Sequence, residues 1–380
     1  MKYLIIGAGV AGITASKKVL DKKDANDEIT VITDESYPFY YRPKLIEYLS
    51  GNLSIENIII HDKNWFREQG INFREDEEVK TIKTDKKMVK TSENKFNYDK
   101  LLIANGSHSF VPPIDGHEKK NIYTLRNIED AKKIHEKASN SEKGVVIGGG
   151  LLGLESAYNL QKTGLETTVI EVFDNLLPKQ LDEKGGKVLQ KILEEKGLKF
   201  HVGADVNKFE GKEKVKKVKF NDTENLETDL VLISAGVRPN TELVKNTDIK
   251  VNNGIVVNNS METSAKNVYA AGDIAEHEGN IYGLWTASKV EGRIAGLNMV
   301  NNKEKFTGFV PSHSLKVAGV NVISVGEIDP EGDYEEEIYE DKRSYKKVVK
   351  KDGEPIGAIF VGDKYMKDSN KIVNKIKKDN

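Results

Sequence analysis

Short apolar runs punctuate this chain, and most of them end in glycine. Residues 3–6 run into Gly7-Ala8-Gly9-Val10-Ala11-Gly12, then into a helical stretch to about Lys22. Residues 29–32 form the next apolar run and stop at Thr33-Asp34-Glu35. A run that is apolar at every position predicts a parallel strand buried on both faces. The same order returns at 144–171. Residues 144–147 predict a strand, Gly148-Gly149-Gly150-Leu151-Leu152-Gly153 a turn, 154–162 a helix, and 167–170 a strand ending at Glu171. Gly7 and Gly148 lie 141 positions apart, so this is a duplicated supersecondary unit and not a short-period solenoid.

Further runs follow the same habit. Residues 101–104 lead into Asn105-Gly106, 230–234 into Ala235-Gly236, and 268–271 into Gly272-Asp273. In α/β folds, ligands bind at such strand ends. Residues 283–302 predict one helix lined by Ala287, Val290, Ile294, Leu297 and Val300. Beyond about 309 the pattern changes to antiparallel strands at 315–317, 321–325, 344–350 and 356–361, with Lys351-Asp352-Gly353 as a hairpin turn. An acidic stretch at 331–341 and a Lys-rich tail at 364–378 surround them, which predicts a small α+β domain.

Composition narrows the function. The 380 residues leave room for two or three domains. Lys+Arg (58) and Asp+Glu (60) nearly cancel, against the basic excess of a nucleic-acid binder. No apolar run reaches membrane-spanning length, so no membrane partner is expected. Met1-Lys2 and the residues after it form a poor leader, because three glycines interrupt them and one Lys is the whole positive region. There is no cysteine, which excludes disulfides, thiolate metal sites and thiol nucleophiles, and fits a cytoplasmic location. The seven His lack metal-ligand spacing, so no metal is expected.

The two glycine turns carry the chemistry. In Gly-x-Gly-x-x-Gly the first glycine makes the tight turn, the second lets a pyrophosphate approach, and the third allows helix–strand packing. The helix N-terminus then faces the phosphates. The fingerprints are Gly7, Gly9, Gly12 and Gly148, Gly150, Gly153. Glu35 follows Gly12 by 23 positions and Glu171 follows Gly153 by 18, each placed to bind a ribose hydroxyl. A carboxylate at 171 would repel a 2′-phosphate, and no Arg follows closely, so NAD(H) is expected over NADP(H). Asp273 can accept from a polyol hydroxyl, or it can cap a helix.

Five motifs in order resemble the two-dinucleotide flavoprotein reductases, from Met1 to about 305. They are the first fingerprint with Glu35; 98–107, including Ala104-Asn105-Gly106, where Asn105 replaces the usual Thr; the second fingerprint with Glu155; Ala235-Gly236-Val237-Arg238-Pro239-Asn240; and 263–273, ending in Gly272-Asp273. Tyr40-Tyr41-Arg42-Pro43-Lys44-Leu45 and Leu176-Leu177-Pro178 look most like NADH:rubredoxin oxidoreductases and the flavin portion of nitrite reductases. The resemblance implies an α/β fold with two Rossmann-like dinucleotide-binding domains, glutathione-reductase-like, plus the small C-terminal domain. The expected boundaries are 1–113 with 237–308 for FAD, 114–236 for NAD, and 309–380.

It also implies FAD at the first fingerprint and NADH at the second. Asp273 would hold the ribityl chain. Arg42 and Lys44 would neutralise the FAD pyrophosphate or the reduced flavin, unless they are ordinary surface charges. Glu155 is expected near the flavin edge with Lys44 as partner. Trp285 and Tyr282 are either core aromatics or flavin stackers, and Glu291 stands where Gln is common. The Lys212–Lys219 run is a solvated hairpin face or a dock for an acidic carrier.

Relatives that pass electrons through protein need Cys, but here that stretch reads Leu49-Ser50-Gly51. Ser cannot cycle through sulfenic acid. Electrons should therefore leave the flavin directly, to a rubredoxin-like carrier or to dioxygen, in a monomer or homodimer. A low-turnover flavin-binding redox sensor is the other reading.

Overall fold

A computed structural model describes residues 1–221, 224–309 and 312–378. Two compact units form. The first comprises Met1–Pro43, Ile55–His108 and Val237–Phe309. The second comprises Lys44–Ser54, Ser109–Gly236 and the described residues beyond 309.

The first unit is built on a five-stranded parallel sheet, in the order Val268–Ala270, Lys100–Ile103, Lys2–Ile6, Glu28–Ile32, Ile71–Arg74. The apolar runs fill its centre, with Ile5, Val31, Ile32, Leu101 and Leu102 fully buried. Helices Val10–Leu20 and Trp285–Met299 pack on each other, and glycine makes the approach possible. A Cβ on Gly292 would meet the Ala11 carbonyl oxygen at 2.3 Å.

The second unit repeats the plan with Lys199–Val202, Glu166–Glu171, Lys143–Ile147, Leu230–Ile233 and Ile122–Thr124, all parallel. Helix Leu151–Gln161 follows its central strand as Val10–Leu20 follows Lys2–Ile6. Each unit also inserts a three-stranded antiparallel ribbon, Val79–Lys83, Met88–Thr91, Lys95–Asn97 in the first and Val206–Glu210, Lys217–Phe220, Glu224–Glu227 in the second. The Lys-rich run is thus a hairpin, with Lys216 paired to Asp229 and Lys219 to Glu210.

The C-terminal residues form a five-stranded antiparallel sheet, ordered Ser312–Val317, Val320–Gly326, Glu354–Val361, Ser344–Lys351, Glu335–Asp341. Helix Met366–Lys378 covers it with Ile372, Val373 and Ile376. This region belongs to the second unit, where Tyr345 Oη donates to Asp182 at 2.6 Å.

Candidate dinucleotide sites

The first glycine turn is shaped by contacts no other residue would survive. Gly7 has φ +104°, and a Cβ there would meet the Ala104 oxygen at 2.2 Å. A Cβ on Gly12 would meet the Gly7 oxygen at 2.0 Å. Gly9 differs, because nothing lies within 4 Å of where its Cβ would be. It is the N-cap of helix Val10–Leu20 and has no side chain to occupy the first amides. The second turn copies this. A Cβ on Gly148 would meet the Ser234 oxygen at 2.3 Å and one on Gly153 the Gly148 oxygen at 2.0 Å, while Gly150 faces open space. Gly150 caps Leu151–Gln161 without a side-chain bond. Open, glycine-walled helix N-termini suit a pyrophosphate in both units.

Acids stand where the spacing predicts them, and both already hold partners. Glu35 accepts from Tyr40 Oη at 2.5 Å and from Arg42 at 2.6 Å. These residues and Trp285 line a cleft beside Gly9. Trp285 is half-buried, stacked on Phe39 at 5.9 Å and edge-on to Tyr41 at 4.8 Å. Tyr282 packs against Phe306 and Phe309. Glu171 is buried and accepts from the backbone N–H of Gly149 and of Phe173, at 2.5 and 2.9 Å. It fastens the glycine turn to its own strand end, and the lone pairs that remain can still meet a ribose hydroxyl.

The second FAD-type motif gathers around Asp273. Ser107 Oγ donates to its carboxylate at 2.8 Å. Ser107 lies two positions past Asn105 and carried no role in the sequence reading. Asn105 and Asn240 exchange side-chain bonds to each other's backbone, at 3.0 and 2.8 Å. That amide pair is what Asn adds to the Ala104-Asn105-Gly106 turn. Gly106 and Gly272 take φ +67° and +84°, where a side chain would strain the turn. Glu291, buried on helix Trp285–Met299, accepts from Gly272 N–H at 2.7 Å. Gly236 also has positive φ, +95°, with open space beside it.

Arg42 falls in the first unit, whereas Lys44 and Glu155 fall in the second. The Glu155 carboxylate accepts from the Ala318 N–H at 2.9 Å, and burial pushes its carboxyl up. No ion pair joins it to Lys44 among the described residues. In the Leu49-Ser50-Gly51 stretch, the Leu49 carbonyl meets the His135 ring at 3.1 Å. Among the described residues no cluster could hold a metal ion, and no helix is long and apolar enough to cross a membrane.

Comparison with known proteins agrees with this geometry. Residues 1–292 match the family model for pyridine nucleotide-disulphide oxidoreductases, and 311–380 match the rubredoxin NAD+ reductase C-terminal domain. The assimilatory nitrate reductase electron transfer subunit of Bacillus subtilis is 36% identical over 95% of this chain and 48% of its own length, so the chain spans about half of that relative. NADH-rubredoxin oxidoreductase of Clostridium acetobutylicum is 33% identical over 86% of this chain and 82% of its own. The crystal structure of that organism's NADH:rubredoxin oxidoreductase superposes with a TM-score of 0.85 at 30% identity, covering 99% of this chain and 95% of the other. With both fingerprints formed, the cofactors are FAD and NADH, and the chain belongs to the pyridine nucleotide-disulphide oxidoreductase family.

Proposed function

We propose that this chain is an NADH-dependent flavoprotein reductase that passes electrons from FAD to a small one-electron carrier of the rubredoxin kind. One observation carries the reading: two complete dinucleotide cradles occur in a chain with no cysteine. Held by the first cradle, FAD would supply the chemistry that joins two-electron hydride entry from NADH to one-electron exit. The chain's own residues bind and orient. Gly9 and its helix amides receive the FAD pyrophosphate, with Arg42 supplying positive charge beside Glu35. Asp273, held by Ser107, receives the polyol chain, and Ala104, Asn105 and Gly106 form the turn beside it. Gly150 and Glu171 do for NADH what Gly9 and Glu35 do for FAD, with Gly236 at a neighbouring strand end.

The C-terminal domain match and the Clostridium relative's name support a rubredoxin-like acceptor. Steady-state NADH consumption, compared in air and with added rubredoxin under argon, tests the acceptor. Carrier reduction at least about tenfold faster than oxygen uptake is expected. Equal or greater oxygen uptake would make the protein an NADH oxidase instead, and negligible turnover with either would make it a flavin-binding sensor.

A further inference from the structure

Glu291 is a carboxyl group used on one side only. Its Oε2 accepts from Gly272 N–H at 2.7 Å, and the residue is 2% exposed. No described residue bonds to Oε1, and no described cation lies within ion-pair distance of either oxygen. Its position is specific. Gly272 precedes Asp273, and Gly292, the next residue on the helix, presses on Ala11 beside the first fingerprint. Glu291 therefore sits where the two FAD motifs of the first unit meet.

A buried acid without a counter-charge is cheaper neutral than ionised. Burial, with the nearby Asp273 charge, pushes the Glu291 carboxyl up to about 8, against the opposing Gly272 bond. The surrounding elements add little charge. The helix packed against its own carries none before Lys17. On its own helix Lys289 is exposed and Arg293 reaches Glu304 at 4.0 Å. Strand Val268–Ala270 contributes only Tyr269, whose hydroxyl donates to Asn298. A neutral carboxyl has one acceptor oxygen and one O–H donor. Gly272 takes the acceptor, which leaves the O–H on Oε1 with no protein acceptor among the described residues and free to meet a ligand.

We propose that Glu291 is a direct FAD ligand, binding as the neutral acid and donating its carboxyl proton to an oxygen of the ribityl–pyrophosphate segment beside Asp273. Asp273 accepts from that segment while Glu291 donates to it. Ionised Glu291 would lose the donor and place a second negative charge against a phosphate-bearing ligand. The inference rests on the FAD assignment and adds a pH-sensitive contact to it.

The test is FAD affinity of the apoprotein by flavin fluorescence between about pH 6 and 9.5, for wild type, Glu291→Gln and Glu291→Ala, with circular dichroism confirming the fold. Wild type should lose about tenfold in affinity across this range, with a midpoint near 8. Glu291→Gln keeps an acceptor and a donor, so it should bind within about threefold of wild type at pH 7 and show no such loss. Glu291→Ala should bind about tenfold more weakly at pH 7. The same pH profile in wild type and Glu291→Gln would overturn the proposal, as would full affinity in Glu291→Ala. Wild type that binds no FAD at any pH would overturn the cofactor assignment and this contact with it.

Discussion

Glycines that look alike in the fingerprint do different physical work, and substitution separates them. Gly12 packs on the Gly7 carbonyl, so Gly12→Ala forces backbone apart and should lower the melting temperature of the apoprotein. Gly9 has ordinary φ, −75°, and open space around it, so Gly9→Ala should fold normally. Its methyl group would stand where the pyrophosphate must approach, and FAD should bind at least about tenfold more weakly. Flavin absorbance per protein after purification, read beside the melting curve, checks both. A second residue-scale prediction concerns Ser107, which orients Asp273. Ser107→Ala removes a bond to a charged group, worth about 1.5–3 kcal/mol, and should weaken FAD by about tenfold or more, as measured by fluorescence titration. The glycines and acids were legible in the sequence because a tight turn against a strand end admits few residue types. Ser107 was not, since it meets Asp273 from 166 positions away. Glu291 was legible as a departure but not as a buried acid, because nothing local predicts which helix face meets Gly272.

Strands and helices were legible wherever burial is two-sided. Seven of the ten strands in the two parallel sheets lie within about two residues of their predicted limits, because their central positions are apolar, whereas the partly exposed edge strands Ile71–Arg74, Ile122–Thr124 and Lys199–Val202 offer no such run and were not read. The ribbons Val79–Lys83, Met88–Thr91 and Lys95–Asn97 were not read, because their exposed faces carry Lys and Thr and leave no apolar run. Glu335–Asp341 read as an acidic stretch. It is an edge strand of the C-terminal sheet, where charge on the open side discourages further pairing. The Lys-rich tail hides an amphipathic helix whose apolar positions are spaced three to four apart.

Two predictions belong to elements. Glu171 ties the second glycine turn to its strand, and on the proposed function its charge would oppose a 2′-phosphate. Glu171→Gln keeps one of the two acceptor oxygens, so the melting temperature should drop as one turn N–H loses its bond, and the preference for NADH over NADPH should fall by about tenfold, read as the ratio of kcat/KM values. Asp182 caps helix Glu183–Glu195 through Gly185 N–H at 2.9 Å and accepts from buried Tyr345. Tyr345→Phe should lower the melting temperature by several degrees, at about 1.5–3 kcal/mol for a bond to a charged acceptor.

At the scale of the whole molecule, duplication is the organising fact. One βαβ design is used twice, and on the proposed function each copy serves one cofactor and the absence of cysteine makes FAD the point where electrons depart. Proton balance links the site to folding. Glu291 holds its proton to about pH 8 when folded, well above the ordinary value of 4.5. Between those limits the folded state binds more protons than the unfolded one, so this group's contribution to stability falls as pH rises from about 4.5 through 8. Apoprotein melting curves from pH 5 to 9 should slope downward more steeply in wild type than in Glu291→Gln, and parallel curves would contradict this.

The central claim is direct passage of electrons from NADH through FAD to a one-electron carrier. Anaerobic stopped-flow tests it most directly. The flavin absorbance near 450 nm should bleach on mixing with NADH, and the reduced protein, mixed with oxidised rubredoxin, should recover that absorbance while two carriers are reduced per flavin. Flavin that NADH does not bleach, or reduced protein that recovers only in air, would contradict the account.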